Sequence, residues 1–216
     1  MESIKVNPQN PQKESLNKIV SDLGTGKIVV LPTETVYTFA VDATNKEAIE
    51  KVYKLKGREF SKPMHVVVAS IKDAEKYVEV NKPAMILAQH FLPGPLTLVL
   101  PKKLGILPEI LTFGLPTLGI RIPNTPLNLL VARKFGKPYT TTSANISGRE
   151  NPYSVEEILN QMSDEKQEEI SLIVDVGKLP SLPPSTLLDL TCTPPKILRE
   201  GPIIKEQIEK ALDISM

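Results

Sequence analysis

The sequence predicts an α/β fold built on one mixed sheet, and three observations carry that expectation. Helix and strand signals alternate along most of the chain. Several late strand signals, "SLIVDV", "STLLDL" and "KILR", follow one another without intervening helices, so the sheet cannot be all-parallel. No internal repeat, low-complexity tract or long linker divides the 216 residues, so a single domain over 1–216 is expected.

The elements follow in order. In "KESLNKIVSDLG" (13–24), Leu16, Ile19, Val20 and Leu23 fall at i, i+3, i+4, i+7, and Gly24 stands where a C-terminal cap belongs. "KIVVL" (27–31) reads as a buried strand. "NKEAIEKVYKLKG" repeats the helical pattern with Ala48, Ile49, Val52 and Tyr53 on one face and Gly57 as the stop. "MHVVVA" is a β-branched strand, "PAMILAQHF" a helix opening on proline, and "LTLVL" a strand. "TLGIRI" is a strand, followed by a helix with Thr125 as N-cap and Pro126 at its first position. "PYTTT" leads into a polar loop. "SVEEILNQM" opens on a capping box, Ser154 with Glu157. "SDEKQEE" (163–169) reads as a solvated helix end or loop, and a closing helix runs from about Pro202 to Leu212.

Composition excludes several classes. The chain is 41% hydrophobic and 24% charged, ordinary for a globular protein, with no apolar run near the ~20 residues that span a bilayer. The polar start "MESIKVNPQNPQKES" carries no export or import pattern, so a cytoplasmic location is expected. One cysteine, Cys192, rules out an internal disulfide, and with only His65 and His90 beside it a Cys/His zinc site is not expected. A net charge of +1 argues against a protein that coats nucleic acid non-specifically.

Chemistry-bearing residues gather at strand ends. "GTGK" (24–27) fails as a phosphate loop because Ile28 follows the lysine and the motif precedes its strand. No G-x-G-x-x-G is present, and no nucleophilic triad is evident. Instead "LPTETVY" (31–37) places Thr33, Thr35 and Tyr37 around Glu34, "TTTSANISG" (140–148) offers four consecutive hydroxyls and Asn145, Ser185 and Thr186 precede a strand, and Arg199 ends one. Ligands in open α/β sheets sit beyond strand ends where loops converge. Lys54, Lys56, Arg58 and Lys62 crowd into nine positions. Cations at a helix C-terminus are also favoured by the macrodipole, so a solvated helix end competes with an anion clamp. Arg121, alone between Ile120 and Ile122, needs an anionic partner if it points inward.

"PTETVY", "KGR", "KP" before a strand, "PGPLT", "RIP", "SAN" with "SG", "ST" with Asp189, and "LREGP" occur in one order, from about Ser15 to Gly201. In this the chain resembles the threonylcarbamoyl-AMP synthase family, the YrdC-like proteins, in their short single-domain form. The resemblance implies a twisted mixed parallel/antiparallel sheet flanked by helices, around a cationic concave site. It implies a nucleotidyltransferase that condenses L-threonine, bicarbonate and ATP with Mg2+ into threonylcarbamoyl-AMP and pyrophosphate. Partner proteins then transfer the threonylcarbamoyl group to tRNA, giving the t6A modification.

Residue by residue, the resemblance implies that Lys56 and Arg58 meet ATP phosphates and act in catalysis, with Lys62 also facing the nucleotide. Thr117, Ser143, Asn145, Asn151 and Arg199 resemble further nucleotide contacts. Thr35, Arg121, Thr141 and Ser185 resemble the threonine pocket, with Arg121 on the carboxylate. "PGP" is expected to be scaffold, Asp189 a residue that orients a neighbour or accepts loop amides, and His65 a strand residue. Where the family usually has Gly-Leu-Gly this chain has Thr38-Phe39-Ala40, and Pro183-Pro184 replace a glycine and an acid, changes expected to narrow and stiffen the pocket. A binding module for tRNA or double-stranded RNA, with turnover lost, is the alternative reading.

Overall fold

The computed structural model describes residues 1–57 and 62–216. In chain order the elements are β1 (Glu2–Lys5), α1 (Lys13–Gly24), β2 (Ile28–Pro32), β3 (Tyr37–Ala40), α2 (Lys46–Lys56), β4 (His65–Val67), α3 (Ile71–Ala74), α4 (Lys82–Phe91) and β5 (Leu96–Pro101). Then come β6 (Thr117–Arg121), α5 (Pro126–Phe135), β7 (Tyr139–Ser143), α6 (Val155–Leu159), α7 (Asp164–Glu168), β8 (Ile170–Asp175), β9 (Thr186–Asp189), β10 (Lys196–Arg199) and α8 (Lys205–Leu212).

The described strands form one sheet in the order β1-β8-β2-β3-β7-β4-β6-β5-β9-β10. Parallel pairs (β1 with β8, β8 with β2, β4 with β6, β5 with β9) mix with antiparallel ones (β2 with β3, β3 with β7, β7 with β4, β6 with β5, β9 with β10). The mixed sheet expected from the helix-free late segment is present. Side chains alternate across it. One face carries Val30, Phe39, Val66, Leu98, Ile120, Ile173 and Leu188 into a large core closed by residues of α2, α4, α6 and α8. The other face presents Val29, Leu31, Ala40, Val67, Tyr139 and Leu172 to Ile19 and Leu23 of α1 and Leu127 and Val131 of α5.

Four N-caps obey the sequence, although Glu157 of the expected capping box accepts from the Tyr153 amide rather than from that of Ser154. Asn45, Asn81, Thr125 and Ser154 each accept a backbone N–H three residues on. Gly57 and Gly136 end α2 and α5 in the left-handed region, at φ 57° and 70°. The α1 stop differs from expectation: Gly24 stays helical and Gly26 takes the positive φ of 71°. A Cβ on Gly26 would stand 2.7 Å from the Asn45 side chain, so that turn also needs the missing side chain.

β1, β3 and α3 went unread in the sequence. β1 is an edge strand with a polar, largely exposed face, so no alternation marks it. β3 hides behind the Thr33–Val36 turn, where "PTETVY" reads as a loop. α3 is too short to establish a period. The acidic segment forms the solvated α7, as its charge implied.

Candidate functional site

Beyond α1 and α5 the second face of the sheet changes character. Its alternate positions hold Thr38 on β3, Thr141 and Ser143 on β7, His65 on β4, Thr117, Gly119 and Arg121 on β6, and Thr97 on β5. Loops rather than helices approach these residues. Val36, Pro63, Met64, Asn151, Pro184 and Arg199 join Thr38, His65, Arg121, Thr141, Thr142 and Ser143 around one cleft of about 90 Å³. Typical ligand sites enclose ~300–1,000 Å³, so a nucleotide here must lie largely on the open face or part the loops.

Arg121 points inward, as its apolar flanks implied, and is 3% exposed. Its Nη2 donates to Thr35 Oγ1 at 3.0 Å and lies 3.2 Å from Glu34 Oε1. Thr35 is itself held by the turn. Its hydroxyl stands 3.0 Å from Thr33 Oγ1, while Thr33 Oγ1 donates to the Val36 carbonyl and accepts from the Thr35 and Val36 amides. Four buried atoms at this spot make no hydrogen bond among the described residues: Arg121 Nε, Thr141 Oγ1 and both carboxylate oxygens of Glu34. Protein interiors rarely tolerate such groups without a partner.

Lys56 is buried, at 1% exposure, despite its place in the last turn of α2. Its ammonium donates to the carbonyls of Ser143 and of Asn145 (2.9 Å) and to Asn145 Oδ1 (3.1 Å), and it sits 5.6 Å above the Phe39 ring. Asn145 Oδ1 also accepts from Ser143 Oγ at 2.5 Å, and its amide donates to the Arg149 carbonyl. Lys56, Ser143 and Asn145 thus organise one another and shape the loop after β7. A solvated helix end is excluded for Lys56. Arg58, the second basic residue of this motif, lies outside the described residues. Lys62 is exposed near the cleft wall, its carbonyl accepting from Tyr53 Oη.

The third strand-end cluster joins Ser185 and Arg199. The guanidinium grips the Ser185 carbonyl from Nε (3.0 Å) and Nη2 (2.8 Å), and Nη2 reaches Ser185 Oγ at 3.2 Å. Thr97 Oγ1 lies 2.8 Å from Ser185 Oγ, inside the core edge. Sequence reasoning missed Thr97, because in "LTLVL" a threonine reads as an ordinary strand former. Gly201 permits the close approach: a Cβ there would meet the Thr186 amide nitrogen at 2.4 Å. Asn151 lines the cleft. Thr117 shares the face with Arg121 but stands four residues along β6, roughly 13 Å away at strand rise, outside the cleft lining.

His65 is the strand residue expected, and it also lines the cleft opposite Thr141. Gly119 on the neighbouring strand makes room for it, since a Cβ there would come within 2.8 Å of the His65 Cβ. At the two departures from the family glycines the backbone is ordinary strand without positive φ. Ala40 packs into the core under α1 and α5, and Thr38 lines the cleft while its Oγ1 donates to the Leu31 carbonyl at 3.1 Å. Of the changed positions, Thr38 and Pro184 line the cleft. Asp189 accepts from the Thr191 amide and hydroxyl, a turn role.

Two tyrosines frame the site. Tyr37 Oη donates to the Gly177 carbonyl at 2.7 Å and accepts from the Val176 amide at 3.1 Å, tying the loop that carries Pro184 to β3. Burial pushes its pKa up to about 12. Burial likewise raises Tyr139, whose hydroxyl is held by Asn128 Oδ1 at 3.0 Å and lies within the electrostatic reach of Arg121 and Glu34. A larger cavity of about 200 Å³ beside the end of α5 holds Asp73, Lys76 and Lys137. Their charges are already paired, Asp73 with Lys76 at 3.2 Å and Lys137 with Asp42 at 3.1 Å, so size alone does not identify the site.

Comparison with known proteins finds relatives over most of the chain. The Sua5/YciO/YrdC family model, described as "Telomere recombination", matches residues 21–201. A putative threonylcarbamoyl-AMP synthase of Methanocaldococcus jannaschii is 38% identical over 195 residues, covering 90% of this chain and 89% of the relative. The threonylcarbamoyl-AMP synthase of Pyrococcus abyssi is 36% identical over 188 residues, 87% of this chain but 54% of the relative, so the chain spans about half of that longer protein. The crystal structure of P. abyssi Sua5 complexed with L-threonine superposes with a TM-score of 0.91 at 32% identity, over 100% of this chain and 62% of that one.

Proposed function

The chain belongs to the Sua5/YciO/YrdC family, and on that premise we propose that it is an L-threonylcarbamoyladenylate synthase. The observation that carries the reading is the pair of buried donors without an acceptor, Arg121 Nε and Thr141 Oγ1, which line the same cleft. A guanidinium with an open edge suits a carboxylate, and a free hydroxyl beside it suits a second oxygen of a small polar acid such as L-threonine. Thr35 holds Arg121 in place, and Ser185, buried next to the lining residue Pro184, is braced by Arg199 and Thr97.

ATP would lie along the open face toward Asn151, Arg199, Ser143 and Lys62, with Thr117 at its far end and Mg2+ arriving on the triphosphate. In this reading Lys56 acts through the loop it organises, fixing Ser143 and Asn145, with Arg58 as the phosphate-facing cation. The threonine amine adds to bicarbonate, forming a C–N bond and losing water. A carbamate oxygen then attacks the α-phosphorus while the bond to the departing pyrophosphate breaks. Charge accumulates on phosphate oxygens in that step, so pre-placed cations supply the stabilisation. The carbamate and the mixed anhydride both hydrolyse, which fits a narrow, loop-walled cleft. The product would be consumed by a tRNA-modifying transfer step, and a cytoplasmic location fits that use.

The test is incorporation of labelled bicarbonate into an adenylate with ATP, Mg2+ and L-threonine, against a serine control. Threonine-dependent product is expected. Absence of product from folded protein that still retards tRNA on a gel would overturn the synthase reading in favour of an RNA-binding module.

A further inference from the structure

We infer that Glu34 receives the α-ammonium of the amino-acid substrate, beside the carboxylate held by Arg121; the inference rests on the threonine reading above. Glu34 sits on the turn between β2 and β3, immediately before Thr35, with both carboxylate oxygens buried and neither hydrogen-bonded. Arg121 Nη2 approaches Oε1 to 3.2 Å without hydrogen-bond geometry. A buried ion pair that serves stability alone fills its remaining lone pairs, because desolvation otherwise exceeds the Coulomb gain. The buried Asp22 of this same chain does so, taking Ser171 Oγ at 2.9 Å and the ammonium groups of Lys18 and Lys27 at 3.3 and 3.4 Å. Glu34 has no such set.

Charge counting gives the missing donor its sign. Arg121 and Glu34 balance as they stand. A simple carboxylate on the guanidinium would add a second anion next to Glu34, and like charges in a dry pocket repel. An α-amino acid adds one anion and one cation, so two of each meet. Its carboxylate and ammonium branch from one carbon, which requires their two receptors to stand side by side, as Arg121 and Glu34 do. Glu34 therefore selects α-amino acids over α-hydroxy acids and holds the nitrogen that, on passing one ammonium proton to this carboxylate, becomes the amine that is carbamoylated.

Calorimetric titration separates the possibilities, using L-threonine and its α-hydroxy analogue, 2,3-dihydroxybutanoate, with wild type, Glu34→Gln, Glu34→Asp and Arg121→Ala. Wild type is expected to prefer L-threonine by about 30-fold or more, the scale of a charge-assisted contact. Glu34→Gln should lose most of that preference by weakening threonine alone, leave binding of a non-hydrolysable ATP analogue unchanged, and Glu34→Asp should restore part of it. A merely structural role would weaken both acids equally and would overturn the inference, as would equal binding of the two acids by wild type. If Arg121→Ala loses both acids while Glu34→Gln keeps its preference, the threonine reading survives and the ammonium assignment falls. If wild type binds neither acid, the threonine reading itself falls.

Discussion

One face of a single sheet is used in two ways. Across β8, β2 and the ends of β3, β4 and β7, alternate residues are Leu172, Val29, Leu31, Ala40, Val67 and Tyr139, sealed by α1 and α5. Across the rest they are Thr38, Thr141, Ser143, His65, Gly119, Arg121 and Thr97, met by loops. Strand pairing continues unbroken from one region to the other, so the contrast lies in side chains. Each region also buries a carboxylate. Asp22, next to the sealed region, is saturated by three donors, whereas Glu34, in the open one, has among the described residues a single ion-pair partner and no hydrogen bond. A saturated buried charge contributes stability; an unsaturated one marks where a ligand completes the set.

Substitutions should break that contrast in graded steps. Arg121→Ala removes the centre of the open region, and threonine-dependent adenylate formation should fall by about 10³-fold. The same change leaves Glu34 buried without its cation, so the melting curve should shift by about 3 kcal/mol of stability. Lys56→Met keeps the bulk but strips donors from the Ser143 and Asn145 carbonyls. It should cost about 2–4 kcal/mol in denaturant titration, and raise the KM for ATP about tenfold or more as the loop shifts. Gly119→Ala pushes a methyl against the His65 Cβ. About 1–3 kcal/mol should be lost, with activity reduced in step because β4 or His65 must move within the cleft.

The smallest effect sharpens the contrast from the sealed side. Asp22→Asn should cost about 1–2 kcal/mol at neutral pH and leave kcat and KM of the folded protein unchanged. Burial by itself would raise the Asp22 pKa, but the Ser171 hydroxyl and the Lys18 and Lys27 ammonium groups outweigh it and hold the carboxyl below its usual range. A depressed folded pKa means that the unfolded chain binds the proton first, so this stability is complete above about pH 4 and is lost as pH falls further. The gap in melting temperature between wild type and Asp22→Asn should therefore close in acid. A gap that failed to narrow as pH falls below about 4 would refute the charge-based account of Asp22.

Local pattern made several parts of this protein legible. The periodicities of α1, α2, α4 and α5, their caps, the β-branched strands and the mixed sheet all rest on contacts close in sequence. Arg121 was readable because an arginine between two isoleucines in a strand has few other uses. The motif spacing carried the family. What the tertiary structure alone decided is which polar groups end up satisfied. Lys56 looks like any basic residue at a helix end until β7 and the loop after it supply three acceptors and Phe39 a ring beneath it. Thr97 looks like any strand threonine until β9 brings Ser185 within 2.8 Å. Glu34 looks like a turn acid until β6 places Arg121 beside it and no donor follows. Propensity and periodicity are properties of neighbours along the chain, while desolvation and hydrogen-bond saturation depend on partners 86 to 89 residues away.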